Sequence, residues 1–439
     1  MKWLVVLLLG LCLGAECSNQ MPPHAPSDRP YYPAGMVQQE NRLLVVSANF
    51  DKRYSSGSVL SIDLNEVDKL LDPNKAIFPG DLKNTSFTWI PSFGESPVLV
   101  SGGLLLLSRE HQQMLHLDLN STSGALSCGT AKGDCTSASV LTALNYRYPY
   151  YMEMLWGGEG IIGYLEAPRR RPLNQTGSVD EWAELQRFSF DATTKQISLK
   201  ETYRIQDIIP KDPPDPTKPT VLVPDQTQMF ARLGAMKVFD KNLFVGVDAL
   251  LSYGDLNSTK KNAKLLWFSL SENSFDAKEV KEFNLSSEIS AQMIKGFDFT
   301  ATRMYVILEE PGTLVRLDIV RDDKNKISDL KRADQVSSCE GPAAVSVAPN
   351  GQAVLVVCER SHDVVSYRPD SFAPLSLVRN SGRSPVRIWF DTRGDKKDRF
   401  YVSYFFDGSI GVFELDANGK INPLGRIFPQ SAPNHKGGT

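Results

Sequence analysis

The side chains able to do chemistry are scattered along the chain rather than gathered in one motif. Carboxylates at Glu95, Glu153, Glu159, Asp298 and Glu340 alternate with cations at Arg232, Lys237, Arg383 and Arg387. Carboxylates that converge on a calcium-like ion polarise a carbonyl and activate water, so the question is which of these residues the fold brings together. His111 and His362 stand near Arg109, Glu110, Glu359 and Arg360, and two histidines on one rim could exchange protons, although exposed loop positions are the expectation. His116, between Leu115 and Leu117, reads as the outward-facing residue of a strand. No G-x-S-x-G elbow, H-E-x-x-H pair, Walker-type phosphate loop or CxxCH occurs. Gly157–Gly160 is glycine-rich but has no helix after it, and the run Arg169–Arg171 between prolines reads as a solvated loop.

With 5 His and 6 Cys in 439 residues, a His/Cys metal cluster is not expected. The net charge of −3 argues against a nucleic-acid partner, which requires a basic face. Residues 1–17 read as an export signal: Lys2 supplies the positive region, and the apolar run Trp3–Ala15 is too short for a stop-transfer helix. Gly14-Ala15-Glu16-Cys17 resembles a lipoprotein signal with Cys17 as the lipidated residue, Glu16 being a departure; Ala15-x-Cys17 also reads as an ordinary cleavage site. A Pro-rich tether follows over residues 18–34, then one domain over 35–439. The expected location is the periplasm or cell envelope in a bacterium and outside the cell otherwise. Cys128, Cys135, Cys339 and Cys358 remain, an even number that favours two disulfides. Three pairings are open; Cys128–Cys135 and Cys339–Cys358 close the shortest loops. Sequons stand at Asn84, Asn120, Asn174, Asn257 and Asn284.

The elements that must position these residues are strands. Short apolar runs recur at Leu43–Ala48, Leu104–Arg109, Gly160–Leu165, Leu243–Asp248, Met304–Leu308, Val354–Glu359 and Phe400–Phe405. A partner strand follows each, another precedes most, and a more polar fourth strand closes the unit. The helical signal is confined to a turn near Asn65–Leu71. These units predict an all-β fold, a seven-bladed β-propeller of four-stranded antiparallel blades whose first strands line a central channel. Met36–Gln39 fits the first strand of blade one, which makes an N-terminal closing strand unnecessary.

Glu340–Tyr367 resembles one blade of the YVTN-repeat and lactonase-like propellers. Gly341, Pro342, Val345, Val347, Pro349 and Gly351 match the family pattern, whereas Leu355 and Cys358 replace its Tyr and Asn. The resemblance implies a propeller fold, and a lactonase-like hydrolase with calcium at the channel mouth is one activity it suggests. The sequence itself favours a cofactor-free binding protein. Insertions at residues 167–183, 208–226 and 251–263 crowd one face of blades three and four and suggest a rim for a protein partner. The candidate ligand residues at the channel mouth are Glu95, Glu159, Arg232, Asp298, Glu340 and Arg387.

Overall fold

A computed structural model describes residues 23–92, 94–109, 111–129, 133–137, 141–144, 149–164, 184–204, 231–249, 263–270, 281–285, 293–309 and 311–428. The second strand of each unit explains the architecture. A run such as Leu43-Leu44-Val45-Val46, every residue with no exposed surface, needs cover on both faces of its sheet. Radially stacked blades provide that cover, because each sheet lies between two others.

Blade 1 comprises β1 (Pro33–Gln39), β2 (Arg42–Ser47), β3 (Gly57–Asp63) and the outer strand β5 (Ser86–Ile90); between β3 and β5 the chain forms a helix α1 (Leu64–Leu70) and a short β4 (Ala76–Ile77) that joins the sheet of blade 7. Blade 2 comprises β6 (Gly94–Val100), β7 (Gly103–Ser108), β8 (Gln113–Leu119), a side branch β9 (Leu126–Ser127) and β10 (Leu141–Ala143). Blade 3 runs β11 (Pro149–Met154), β12 (Glu159–Tyr164), β13 (Glu184–Asp191) and β14 (Gln196–Arg204). Blade 4 runs β15 (Ala231–Phe239), β16 (Asn242–Ala249), β17 (Lys264–Ser269) and β18 (Lys281–Asn284). Blade 5 runs β19 (Ile294–Phe299), β20 (Arg303–Leu308), β21 (Thr313–Arg321) and β22 (Ile327–Ser337). Blade 6 runs β23 (Pro342–Val347), β24 (Val354–Cys358), β25 (Asp363–Tyr367) and β26 (Pro374–Val378). Blade 7 runs β27 (Pro385–Phe390), β28 (Arg399–Tyr404), β29 (Ser409–Leu415) and β30 (Ile421–Ile427).

Among the described residues the buried apolar side chains form seven clusters, one in each seam between neighbouring blades. This corrects the expectation for His116. A third strand also has a blade on each face, so His116 is buried in the seam between blades 2 and 3, its ring 4.9 Å from that of Phe190. Burial lowers its pKa, the nearby Asp118 only partly opposing.

The ring closes without an exchanged strand: blade 7 owns four strands, and β1 is simply the inner strand of blade 1. Three contacts across the junction replace the exchange. β4 adds to β30 in parallel, Gln38 Nε2 donates to Asp391 at 2.8 Å, and Asp68 of α1 accepts from Arg399 and, at 3.0 Å, from Arg393. The disulfides are Cys128–Cys135 and Cys339–Cys358, the pairing with the shortest loops. Among the described residues no helix is long and apolar enough to cross a membrane.

Candidate functional site at the channel mouth

Each inner strand breaks register once, near the end where it begins. The shifts fall between Pro33 and Gly35, Glu95 and Val98, Pro149 and Tyr151, Leu233 and Ala235, Ile294 and Gly296, Pro342 and Ala344, and Pro385 and Arg387. A β-bulge of this kind bends the strand and re-aims the unpaired side chain. Ala34, Tyr150, Gly234, Lys295, Ala343 and Val386, the residues skipped in six of the seven blades, all line one cavity of about 280 Å³. Residues just past the second strands complete it: Ala48, Phe50, Arg109, Glu359, Phe405 and Phe406. The cavity is therefore the channel mouth on the face that carries the loops between second and third strands.

Its chemistry is cationic and aromatic. Among the described residues, Arg109, Lys295 and Arg387 line it with Tyr150, Tyr151 and three phenylalanines, against the single carboxylate Glu359. Arg109 lies over the Tyr150 ring at 5.6 Å. Lys295 pairs with Glu309 at 2.9 Å, and Arg360 reaches the same carboxylate at 3.3 Å. Glu359 Oε1 accepts from Ser384 Oγ at 3.1 Å. Arg387 donates to the Val386 carbonyl at 3.2 Å and forms no ion pair with a described carboxylate.

Three residues further along each inner strand lies a second layer: Val37, Val98, Glu153, Lys237, Asp298, Ser346 and Trp389, each opposite the second residue of its partner run. Its polar part spans successive blades. Lys237 Nζ pairs with Asp298 at 2.6 Å, and Asp298 accepts from the Val347 N–H at 2.8 Å and from Ser346 Oγ at 3.3 Å. Burial pushes the Glu153 carboxyl up to about 7, opposed by Lys237 and the Val238 N–H. Burial alone would lower the Lys237 ammonium, but Asp298 and then Glu153 hold it above its ordinary value.

The sequence-derived candidates are thus only partly assembled. Arg387 lines the mouth, and the Glu95 backbone shares its layer, each opposite the fourth residue of the neighbouring run. Arg232 lies at the mouth end of β15 by register. Asp298 sits in the deeper layer. Glu159 opens β12, a second strand, and is held at the opposite end of blade 3 by Arg187 and Lys200. Glu340 is exposed two residues before β23, where Ala343 takes the place at the mouth. Arg383 is an exposed loop residue near Asp407, at 3.9 Å. His111 is exposed, and His362 Nδ1 accepts from the Ser384 N–H at 3.1 Å. Among the described residues no three His, Cys, Asp or Glu side chains gather within reach of one ion. The aromatic residues and Lys295 were missed by a search for carboxylates; the recurrent Pro or Gly at the start of the inner strands (Pro33, Pro97, Pro149, Gly234, Gly296, Pro342, Pro385) was the signal that marks their ring. The insertions at 167–183 and 208–226, and 251–262 of the third, lie outside the described residues, as do Cys17 and Arg169–Arg171.

No family model matches the sequence, and no curated protein does. Among solved structures the chain is similar to a candidate 6-phosphogluconolactonase of Bacteroides fragilis, with a TM-score of 0.56 and 11% identity over 90% of this chain and 97% of that one. A candidate 6-phosphogluconolactonase of Bacteroides uniformis gives 0.55 and 10%, over 89% and 98%. The β-propeller domain of Cps50 (Swd1) from Myceliophteria thermophila gives 0.53 and 9%, over 90% and 99%. At these identities the likeness defines the class, a seven-bladed β-propeller, and leaves the activity to the site.

Proposed function

We propose that this is a binding propeller, exported and held at the cell envelope through Cys17, whose ligand is a small organic anion with an apolar body. One observation carries the reading: the mouth cavity sets Arg109, Lys295 and Arg387 among five aromatic rings, with Arg387 unpaired by any described carboxylate. A carboxylate would take the Arg387 fork, and its apolar part would lie against Phe50, Phe405 and Phe406. The two disulfides are compatible with export. Partner docking through the loops of blades 3 and 4 rests on their sequence alone.

The test is calorimetric titration with octanoate and 3-phenylpropionate, each beside its amide. The acids are expected to bind and the amides to fail, with Arg387→Gln weakening the acids about 10- to 100-fold, the range for a lost charge-assisted bond. Equal binding of acid and amide, or none of either, overturns the reading.

A lactonase-like hydrolase is the second reading. Its support is Glu153, a carboxyl brought near neutrality inside the channel, where a group able both to give and to take a proton is useful. Lactone hydrolysis that responds to calcium and is lost in Glu153→Gln would establish it in place of the first.

A further inference from the structure

A continuous aromatic ledge runs along the mouth face where blades 7 and 1 meet. The Tyr32 ring lies 4.9 Å from Phe405 and 6.1 Å from Phe406, Phe50 lies 5.5 Å from Phe405, and Tyr31 links Tyr32 at 4.5 Å to Tyr54 at 4.8 Å. Phe50 and Phe406, at its outer edge, leave 50% and 45% of their surface exposed. A contiguous exposed apolar patch marks a contact surface. This one is built rather than loose. Tyr32, Asn49, Lys52 and Ser384 adopt φ of 56°, 52°, 54° and 57°, a region that non-glycine residues enter at a cost. Asn49 Nδ2 holds the loop by donating to the Tyr54 carbonyl at 2.7 Å and to Ser92 Oγ at 2.9 Å.

Charge is layered around the ledge. Arg53 and Arg383 keep 59% and 53% of their side chains exposed, whereas Asp51 and Asp407 beside them keep 28% and 18%. Both tyrosine hydroxyls donate to Asp51, at 3.0 and 3.1 Å. Arg53 pairs with Asp51 at 3.0 Å and Arg383 with Asp407 at 3.9 Å, and in each pair the guanidinium is the more exposed partner, the one placed to meet a headgroup.

Given the Cys17 anchor proposed above, on which this inference rests, the path of the chain favours a lipid occupant over a protein one. Pro23 accepts from the N–H of Ser55, in the same loop that carries Phe50 and Arg53. His24 then stacks on Trp89 at 4.5 Å, and the Ala25 carbonyl accepts from Trp89 Nε1 at 2.9 Å. Cys17 stands six residues before Pro23, so the chain reaches at most about 20 Å from that loop to Cys17. An acyl group there would hold this face against the bilayer.

We propose that the ledge rests on a lipid surface bearing anionic headgroups, with Phe50 and Phe406 inserted at the acyl boundary. The ledge adds a second membrane contact to the anchor at Cys17. Phe50 and Phe406 also line the mouth, so the two readings share these rings; Arg387→Gln, which leaves the ledge intact, tells loss of ligand binding from loss of lipid binding.

The test is flotation of the full chain carrying Cys17→Ser with phosphatidylcholine vesicles, with and without a quarter phosphatidylglycerol. It is compared with the same chain carrying Phe50→Ser and Phe406→Ser, so that any contribution from residues 1–17 cancels. Flotation is expected to rise with the anionic lipid and to fall about fivefold for each ring removed. Arg53→Glu with Arg383→Glu, which leaves both rings, is expected to abolish the preference for phosphatidylglycerol. Near-ultraviolet circular dichroism checks that each variant is folded. Flotation that is absent, or unchanged by the ring pair, overturns the proposal. So does crosslinking of the ledge to an envelope protein in a chain that ignores both vesicles.

Discussion

Glu153 shows how far a side chain's chemistry depends on its neighbours. Burial raises its carboxyl to about 7 from an ordinary 4.5, despite Lys237 nearby. Between those values the folded chain holds a proton that the unfolded chain has released. Folding stability therefore falls as pH rises through that window and is flat above it. Glu153→Gln removes the titration. In chemical denaturation the stability of the parent relative to Glu153→Gln, a comparison in which other groups such as His116 cancel, is expected to fall by roughly 1–3 kcal/mol between about pH 5 and 7. A difference that does not change with pH in that range would show that Glu153 ionises normally.

At the scale of the element, the junction of blades 7 and 1 depends on α1 and β4, which no other blade has among the described residues. Asp68 receives Arg393 and Arg399, both largely buried, and β4 extends the blade 7 sheet beyond β30. Asp68→Ala leaves Arg399 without its carboxylate, whereas Arg393 keeps Asp391 at 2.6 Å. The expected cost is about 1–3 kcal/mol in urea unfolding, with faster amide exchange in β4 and β30 than in the outer strands of other blades. Exchange that quickens evenly around the ring would place the closure elsewhere. The inner-strand bulges belong to this scale too. Strand identity was legible in the alternation of apolar residues, and the ends of most predicted strands agree with those observed within a few residues. The bulge was not legible, because the extra residue is defined only by what stands opposite it on the partner strand.

At the scale of the whole molecule, each seam core joins two blades, and the disulfides reinforce the ring locally. Cys339–Cys358, in blade 6, spans 19 residues and Cys128–Cys135, in blade 2, spans 7. In the chain-entropy picture the longer loop contributes about 3 kcal/mol and the shorter about 2. Replacing each pair by serine and measuring the denaturation midpoint is expected to rank them in that order. The reverse order would mean that local structure at 128–135 persists in the unfolded chain and alters the reference.

The sequence by itself determined the repeat: seven apolar runs whose every residue needs cover, each with strand partners, allow few solutions other than a ring of blades. It also favoured the disulfide partners among three open pairings, because short loops close most readily, and it pointed to Arg387. Only the tertiary structure decided which charges share a level of the channel. Glu159 and Glu340 read like mouth residues but lie away from it, whereas Lys295, Tyr150 and the phenylalanines of the ledge line it. The physical reason is that periodicity along a strand is a local property, while depth in the channel depends on register between strands and on the bulge that turns one residue of each blade toward the axis.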